Sequence, residues 1–162
     1  MKYIADNTNI SIKNSVVTLG KFDGLHQGHQ MLINKVLYYK EKGYTSVMFT
    51  FLYHPYNLFS DNEFKLIYTE EEKVSILSKS NLDVLISYPF TRETMATSPE
   101  DFIKDILVKK LDAKVIVVGE DFRFGHNRKG DVAMLKSMES VYGFKVLALE
   151  KMRWDDTIIS SS

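Results

Sequence analysis

Cysteine is absent from the 162 residues. That excludes disulfides and thiolate metal sites, and it fits a reducing, cytoplasmic setting. Net charge is missing too, since 21 basic side chains balance 21 acidic ones. The chain therefore has no general attraction for nucleic acid or a membrane surface, and any polyanionic ligand has to be held by local charge. No apolar run approaches the ~18 residues of a membrane span. The opening "MKYIADNTNI" lacks the apolar core of a signal peptide. There is no internal repeat and no low-complexity segment. What remains is a globular composition, 44% hydrophobic and 26% charged, long enough for one domain with an ordinary core.

Five stretches read as buried strands: residues 15–20, 44–51, 83–88, 113–119 and 144–150. Each is rich in β-branched or aromatic residues and runs apolar with little alternation, as strands covered on both faces do. Helical patterns fall between them. Residues 27–42 put Leu32, Val36 and Tyr39 on one stripe beside Ile33 and Leu37, with Gly43 as a stop. Residues 69–80 open with the capping-box spacing Thr69, Glu72. Residues 98–111 have Ser98 as N-cap and Pro99 at the first helical position. Residues 130–143 have Asp131 as a cap and Gly143 as a stop. Strands alternating with helices predict an open, five-stranded parallel-sheet α/β/α sandwich.

The links after strands are the long ones: 52–68, 89–97 and 119–130. Structureless links of this length usually carry function in a compact domain. All of them leave the carboxyl edge of the sheet, where open α/β folds bind ligands. The same reading puts His26, His29, His54 and His126 at that edge. Between the first strand and the first helix stands "TLGKFDGLHQGHQ" (18–30). Gly20 and Gly24 allow a tight exit from the strand, and Gly28 lets a ligand approach the first helical turn. His26 and His29, three apart, share one side of that turn. There free N–H groups and the helix dipole attract phosphate, and imidazoles donate to phosphate oxygens near neutral pH. Surface histidines in a turn, or a metal set of His26, His29 and Asp23, are the competing readings.

"GKFDGLHQGHQ" resembles the G-x-F-D-G-x-H-x-G-H signature of the FMN adenylyltransferase (FAD synthetase) domain of the bacterial bifunctional riboflavin kinase/FAD synthetase family. The likeness runs along nearly the whole chain: "FTFLYHP" (49–55), "KLIYTEEEK" (65–73), "MATSPEDFI" (95–103), "VVGEDFRFGHNRKGD" (117–131) and the serines 160–162. The resemblance implies a Rossmann-like nucleotidyltransferase fold. It implies transfer of AMP from ATP to FMN, giving FAD and pyrophosphate, with Mg²⁺ accompanying ATP. It also implies a chain that stops short of a family arginine and of a riboflavin kinase domain expected in the full-length protein. A different phosphorylated acceptor, or a weakly active nucleotide- and flavin-binding module, is the alternative.

The implied roles are as follows. His26 and His29 are catalytic, meeting the charge on the α-phosphoryl group and the departing pyrophosphate. Gly20, Phe22, Asp23, Gly28, Arg128, Ser160, Ser161 and Ser162 bind ATP and its phosphates. His54, Asp121, Phe122, Arg123, Phe124 and Gly125 form the flavin pocket. Asp23 either holds Mg²⁺ or orients a histidine, or else is a turn-forming residue. Phe22 suits packing as well as ligand contact. Phe122 and Phe124 either flank an aromatic ring or form a small core of their own. Arg128 either grips phosphate bidentately or stays a solvated loop charge. His54 either completes the pocket or braces its own loop.

Overall fold

The computed structural model describes residues 1–20, 27–52, 74–75 and 77–150, and of 27–29 the backbone alone. Its centre is a six-stranded parallel sheet of β1 (Lys2–Ala5), β2 (Ser15–Leu19), β3 (Thr45–Leu52), β4 (Val84–Pro89), β5 (Ala113–Gly119) and β8 (Lys145–Leu149). Between β5 and β8 lies a small antiparallel ribbon of β6 (Arg123–Phe124) and β7 (Gly130–Asp131). All five expected strands are present within a residue or two of their predicted bounds. The sixth, β1, was not expected. It is an edge strand whose Lys2, Tyr3 and Ala5 are exposed and whose Ile4 is half-buried. Its place is set by backbone pairing with β4, from Lys2 opposite Val84 to Ala5 opposite Ser87, so no apolar pattern announces it.

The strand order is β1-β4-β3-β2-β5-β8. Helix α1 (Gln27–Lys40) carries the chain from β2 to β3. It buries Leu32, Ile33 and Val36 against Val16, Met48, Leu85, Val115 and Val117. On the opposite face, α2 (Arg92–Met95) and α3 lead from β4 to β5. The α3 helix begins with one α turn, Pro99–Asp101, and continues as a wider π-wound segment, Phe102–Lys110. Phe102, Ile103, Ile106 and Leu107 pack there on Val17, Phe49, Ile86, Ile116 and Val118. The predicted cap is present, with Ser98 Oγ accepting from the Asp101 N–H at 3.1 Å. The wide winding was not predicted: apolar positions 102, 106, 107 and 111 suit a turn of four to five residues as well as one of 3.6.

Helix α4 (Val132–Ser137), capped by Asp131, and α5 (Glu139–Tyr142), closed by Gly143 at φ 80°, share the α3 face. They divide the single helix expected over 130–143 at Met138. Half of the expected helix over 69–80 lies outside the described residues; of the rest, 74, 75 and 77 are helical.

This topology marks a candidate position for a site before any side chain is considered. From β2 the chain winds one way over one face, and from β4 onward it winds the other way over the opposite face. Right-handed crossovers require that change of face. The reversal falls between β2 and β5, which pair directly from Val16 opposite Val115 to Thr18 opposite Val117. In open α/β sheets the crevice outside the carboxyl ends at such a reversal is where ligands bind.

Candidate active site

Two segments emerge at that crevice. Beyond β2, Gly20 donates its N–H to the Phe49 carbonyl at 3.3 Å, which fixes the exit of the strand. The chain next enters the described residues at Gln27, the first residue of α1. Gly28 and His29 therefore stand in the opening turn of a helix, where the N–H groups have no partner within the helix itself. Glycine permits close backbone approach there.

Beyond β5 the segment 119–131 is folded rather than structureless. It is a miniature hairpin, with Arg123 opposite Asp131 and Phe124 opposite Gly130. Its tip, His126–Arg128, is one short turn in which Asn127 (φ 58°) and Arg128 (φ 54°) both occupy the left-handed region. Asparagine visits that region more readily than most side chains, while an arginine there is uncommon. Phe124 is the hairpin's anchor. It is buried, 5.5 Å from Phe102 and stacked at 5.8 Å on Phe122. A Cβ on Gly130 would lie 2.6 Å from the Phe124 ring, so Gly130 seats against it. Of the two readings of this pair, the geometry is that of a small core. Asp121, Arg123 and Arg128 are exposed. Among the described residues neither arginine forms an ion pair.

The link 89–97, also predicted to be structureless, contains α2. Thr91 and Thr94 cap it reciprocally: Thr91 N–H donates to Thr94 Oγ1 at 2.7 Å, and Thr94 N–H to Thr91 Oγ1 at 3.2 Å. The hairpin rests on this link. His126 N–H donates to the Thr97 carbonyl at 2.8 Å. His126 Nδ1 lies 3.1 Å from the Met95 carbonyl.

The sequence pattern of the FAD synthetase family matches residues 8–162. The chain belongs to that family. It is 33% identical over 167 residues to a bifunctional riboflavin kinase/FMN adenylyltransferase of Escherichia coli (strain K12), covering 100% of this chain and 53% of the relative. It is 33% identical over 151 residues to a protein of the same name from Buchnera aphidicola subsp. Schizaphis graminum, covering 92% and 48%. A FAD synthetase from Listeria monocytogenes is 32% identical over 156 residues, covering 95% and 63%. The chain thus spans about half the length of the bifunctional relatives it matches. A crystal structure described as a macrolide-efflux protein from Streptococcus pneumoniae shares the fold, with a TM-score of 0.78 over 93% of this chain and 50% of its own, at 24% identity. That likeness bears on the fold alone.

Against this family background the predicted site residues fall into distinct groups. Gly20, Gly28 and the backbone of His29 flank the crevice on the β2 side. Asp121, Phe122, Arg123, Phe124, Gly125 and Arg128 lie in the hairpin on the β5 side. Phe22, Asp23, His26, His54, Ser160, Ser161 and Ser162 lie outside the described residues. His126 was predicted only to stand at this edge, and its contacts with the 95–97 backbone were not foreseen. The available signal was the pair of adjacent caps, Thr91 with Thr94 and Ser98 with Pro99, which marks a rigid turn. No pattern in the chain says what docks on it. No helix among the described residues is long and apolar enough to cross a membrane.

Proposed function

We propose that the chain transfers AMP from ATP to FMN, forming FAD and pyrophosphate. The observation that carries this reading is the meeting of two family segments, the start of α1 and the 119–131 hairpin, at the reversal point between β2 and β5. The FMN phosphate oxygen attacks the α-phosphorus of ATP. A new P–O bond forms as the bond to the β-phosphate oxygen breaks, and the electron pair leaves with pyrophosphate. The attacking oxygen is already ionised at neutral pH, so no general base is required. Catalysis then consists of alignment and of meeting negative charge as it shifts.

His26 and His29 would meet that charge with imidazole N–H groups, helped by the positive end of the α1 dipole. Gly20, Phe22 and Gly28 would let the nucleotide approach the backbone. Arg128 and the serines 160–162 would hold phosphates. His54, Asp121, Arg123, Gly125 and the Phe122–Phe124 pair would shape the flavin side. Among the described residues no group of three or more histidines and carboxylates could hold a metal ion. Mg²⁺ that accompanies ATP is carried chiefly by substrate phosphates with one or two carboxylates, and Asp23 is the proposed protein ligand. Bound with ATP, the ion would neutralise phosphate charge. The riboflavin kinase activity in the relatives' names is proposed for a partner domain of the full-length protein, in the cytoplasm.

The test is to incubate the full-length protein with ATP, Mg²⁺ and FMN and to measure FAD and pyrophosphate. Equimolar formation of both is expected. Pyrophosphate release with another phosphorylated acceptor but not with FMN would replace FMN in this reading. Flavin binding without turnover would reduce the domain to a binding module.

A further inference from the structure

The tip of the hairpin is tied to a part of the chain that the sheet order keeps distant. The platform 91–99 follows β4 and the hairpin follows β5, yet β3 and β2 stand between those strands. The contact therefore spans the top of the sheet. On the platform side, reciprocal threonine capping holds α2, and Ser98 with Pro99 starts α3 directly afterwards. On the hairpin side, Gly125 (φ 81°) lies so close to Pro99 that a Cβ there would be 2.7 Å from the proline Cγ and 2.8 Å from its Cα and N. The next residue, His126, donates its N–H to Thr97 O and places Nδ1 3.1 Å from Met95 O. A carbonyl only accepts, so Nδ1 carries the proton of that bond. The turn then closes on itself, with Arg128 N–H donating to Gly125 O at 2.9 Å and Lys129 N–H to His126 O at 3.3 Å. The outcome of this bracing is the left-handed backbone of Asn127 and Arg128. An unbraced loop would relax from that conformation.

We propose that His126 is a positioning residue whose imidazole, by fastening the hairpin tip to the Met95 carbonyl, aims Arg128 at the phosphates of the nucleotide. The inference rests on the reading of Arg128 as a phosphate ligand. It does not require FMN to be the acceptor. Thr97 O and Pro99 hold the hairpin through its backbone whatever side chain stands at 126. The imidazole bond is the part of the brace that a substitution can remove while leaving the fold in place.

The experiment is a double-mutant cycle in the full-length protein, read by calorimetric titration with ATP and by melting temperature. Arg128→Ala should weaken ATP binding by roughly tenfold or more, the order of one charge-assisted bond. His126→Ala should reproduce a large part of that loss with little change in melting temperature. On the Arg128→Ala background it should add almost nothing, because the residue it positions is gone. His126→Asn, whose amide N–H can reach the same carbonyl, should recover most of the affinity. Additive losses, or unchanged ATP binding in His126→Ala, would overturn the proposal. So would a wild-type protein that does not bind ATP, or equal losses in the Ala and Asn variants together with a lower melting temperature. If the wild-type protein binds ATP but makes no FAD, the acceptor assignment fails while the cycle still decides the role of His126.

Discussion

The two edges of the sheet use their polar groups differently. At the amino edge the side chains satisfy one another and the backbone. Asp83 accepts from the Ser46 N–H at 3.0 Å and hydroxyl at 3.1 Å, and lies 3.3 Å from Lys40 Nζ, which also donates to Asn81 O at 2.6 Å. Asp112 accepts from Asn14 N–H at 2.8 Å and pairs with Lys114 at 3.4 Å. Ser15 Oγ donates to the Leu111 carbonyl at 2.6 Å. At the carboxyl edge, Arg128, with no ion pair among the described residues, stands on a turn with left-handed backbone, and α1 opens with Gln27, Gly28 and His29. Thr18, wholly buried two residues before Gly20, has no partner for its hydroxyl among the described residues. One edge is built for stability. The other combines satisfied caps with a left-handed turn at Asn127 and Arg128, a conformation that clusters at functional sites.

The sharpest way to break this contrast is at the start of α1. His29→Ala in the full-length protein should lower FAD formation at least about a hundredfold, the usual cost of one donor to a developing negative charge. The melting temperature should stay within a degree or two. Unchanged turnover would remove the histidine from the chemistry.

At the amino edge the reverse is expected. Asp83→Ala should leave turnover per folded molecule unchanged and cost about 1–2 kcal/mol of stability, discounted for a pair that is one-third exposed. Denaturant unfolding followed by circular dichroism measures this. A fall in kcat would show that the edges are coupled.

Acid should act on the same edge. Burial pushes the Asp83 carboxyl up, but the Ser46 bonds and Lys40 outweigh it and hold the carboxyl below its ordinary value. The Asn14 N–H, with help from Lys114 and Lys13, overcomes a smaller burial effect and also holds Asp112 below 3.8. A carboxyl depressed in the folded state contributes stability that is fully present above its unfolded pKa and is lost as pH falls through the folded value. A melting-temperature profile should therefore be level in these groups near neutrality and fall below about pH 4. The fall should be shallower in Asp83→Asn. An equal slope in both proteins would assign the acid loss elsewhere.

The smallest effect is expected beneath the carboxyl edge. Thr18→Val keeps the shape and removes an unpartnered hydroxyl. It should be neutral or stabilising by up to about 1 kcal/mol, read as a rise in melting temperature. A clear destabilisation would mean that the hydroxyl has a partner.

The sequence by itself determined the fold class, five of the six strands of the main sheet, the caps at Ser98 and Asp131 and the stops at Gly43 and Gly143. It also marked the two candidate segments that the fold brings to one crevice. Those are local properties: buried strands need uninterrupted apolar runs, and helix ends need particular side chains at particular offsets. Tertiary structure alone decided the rest. β1 is held by backbone pairing to β4, which leaves no trace in side-chain pattern. The winding of Phe102–Lys110 is compatible with apolar spacings that fit two helix types. Phe124 became an anchor because Phe102 and Phe122, distant or adjacent in sequence, meet it in space. His126 gained its role from carbonyl groups of Met95 and Thr97, and every residue offers a carbonyl. Backbone acceptors are uniform along a chain, so only the three-dimensional fold can say which of them a given side chain will reach.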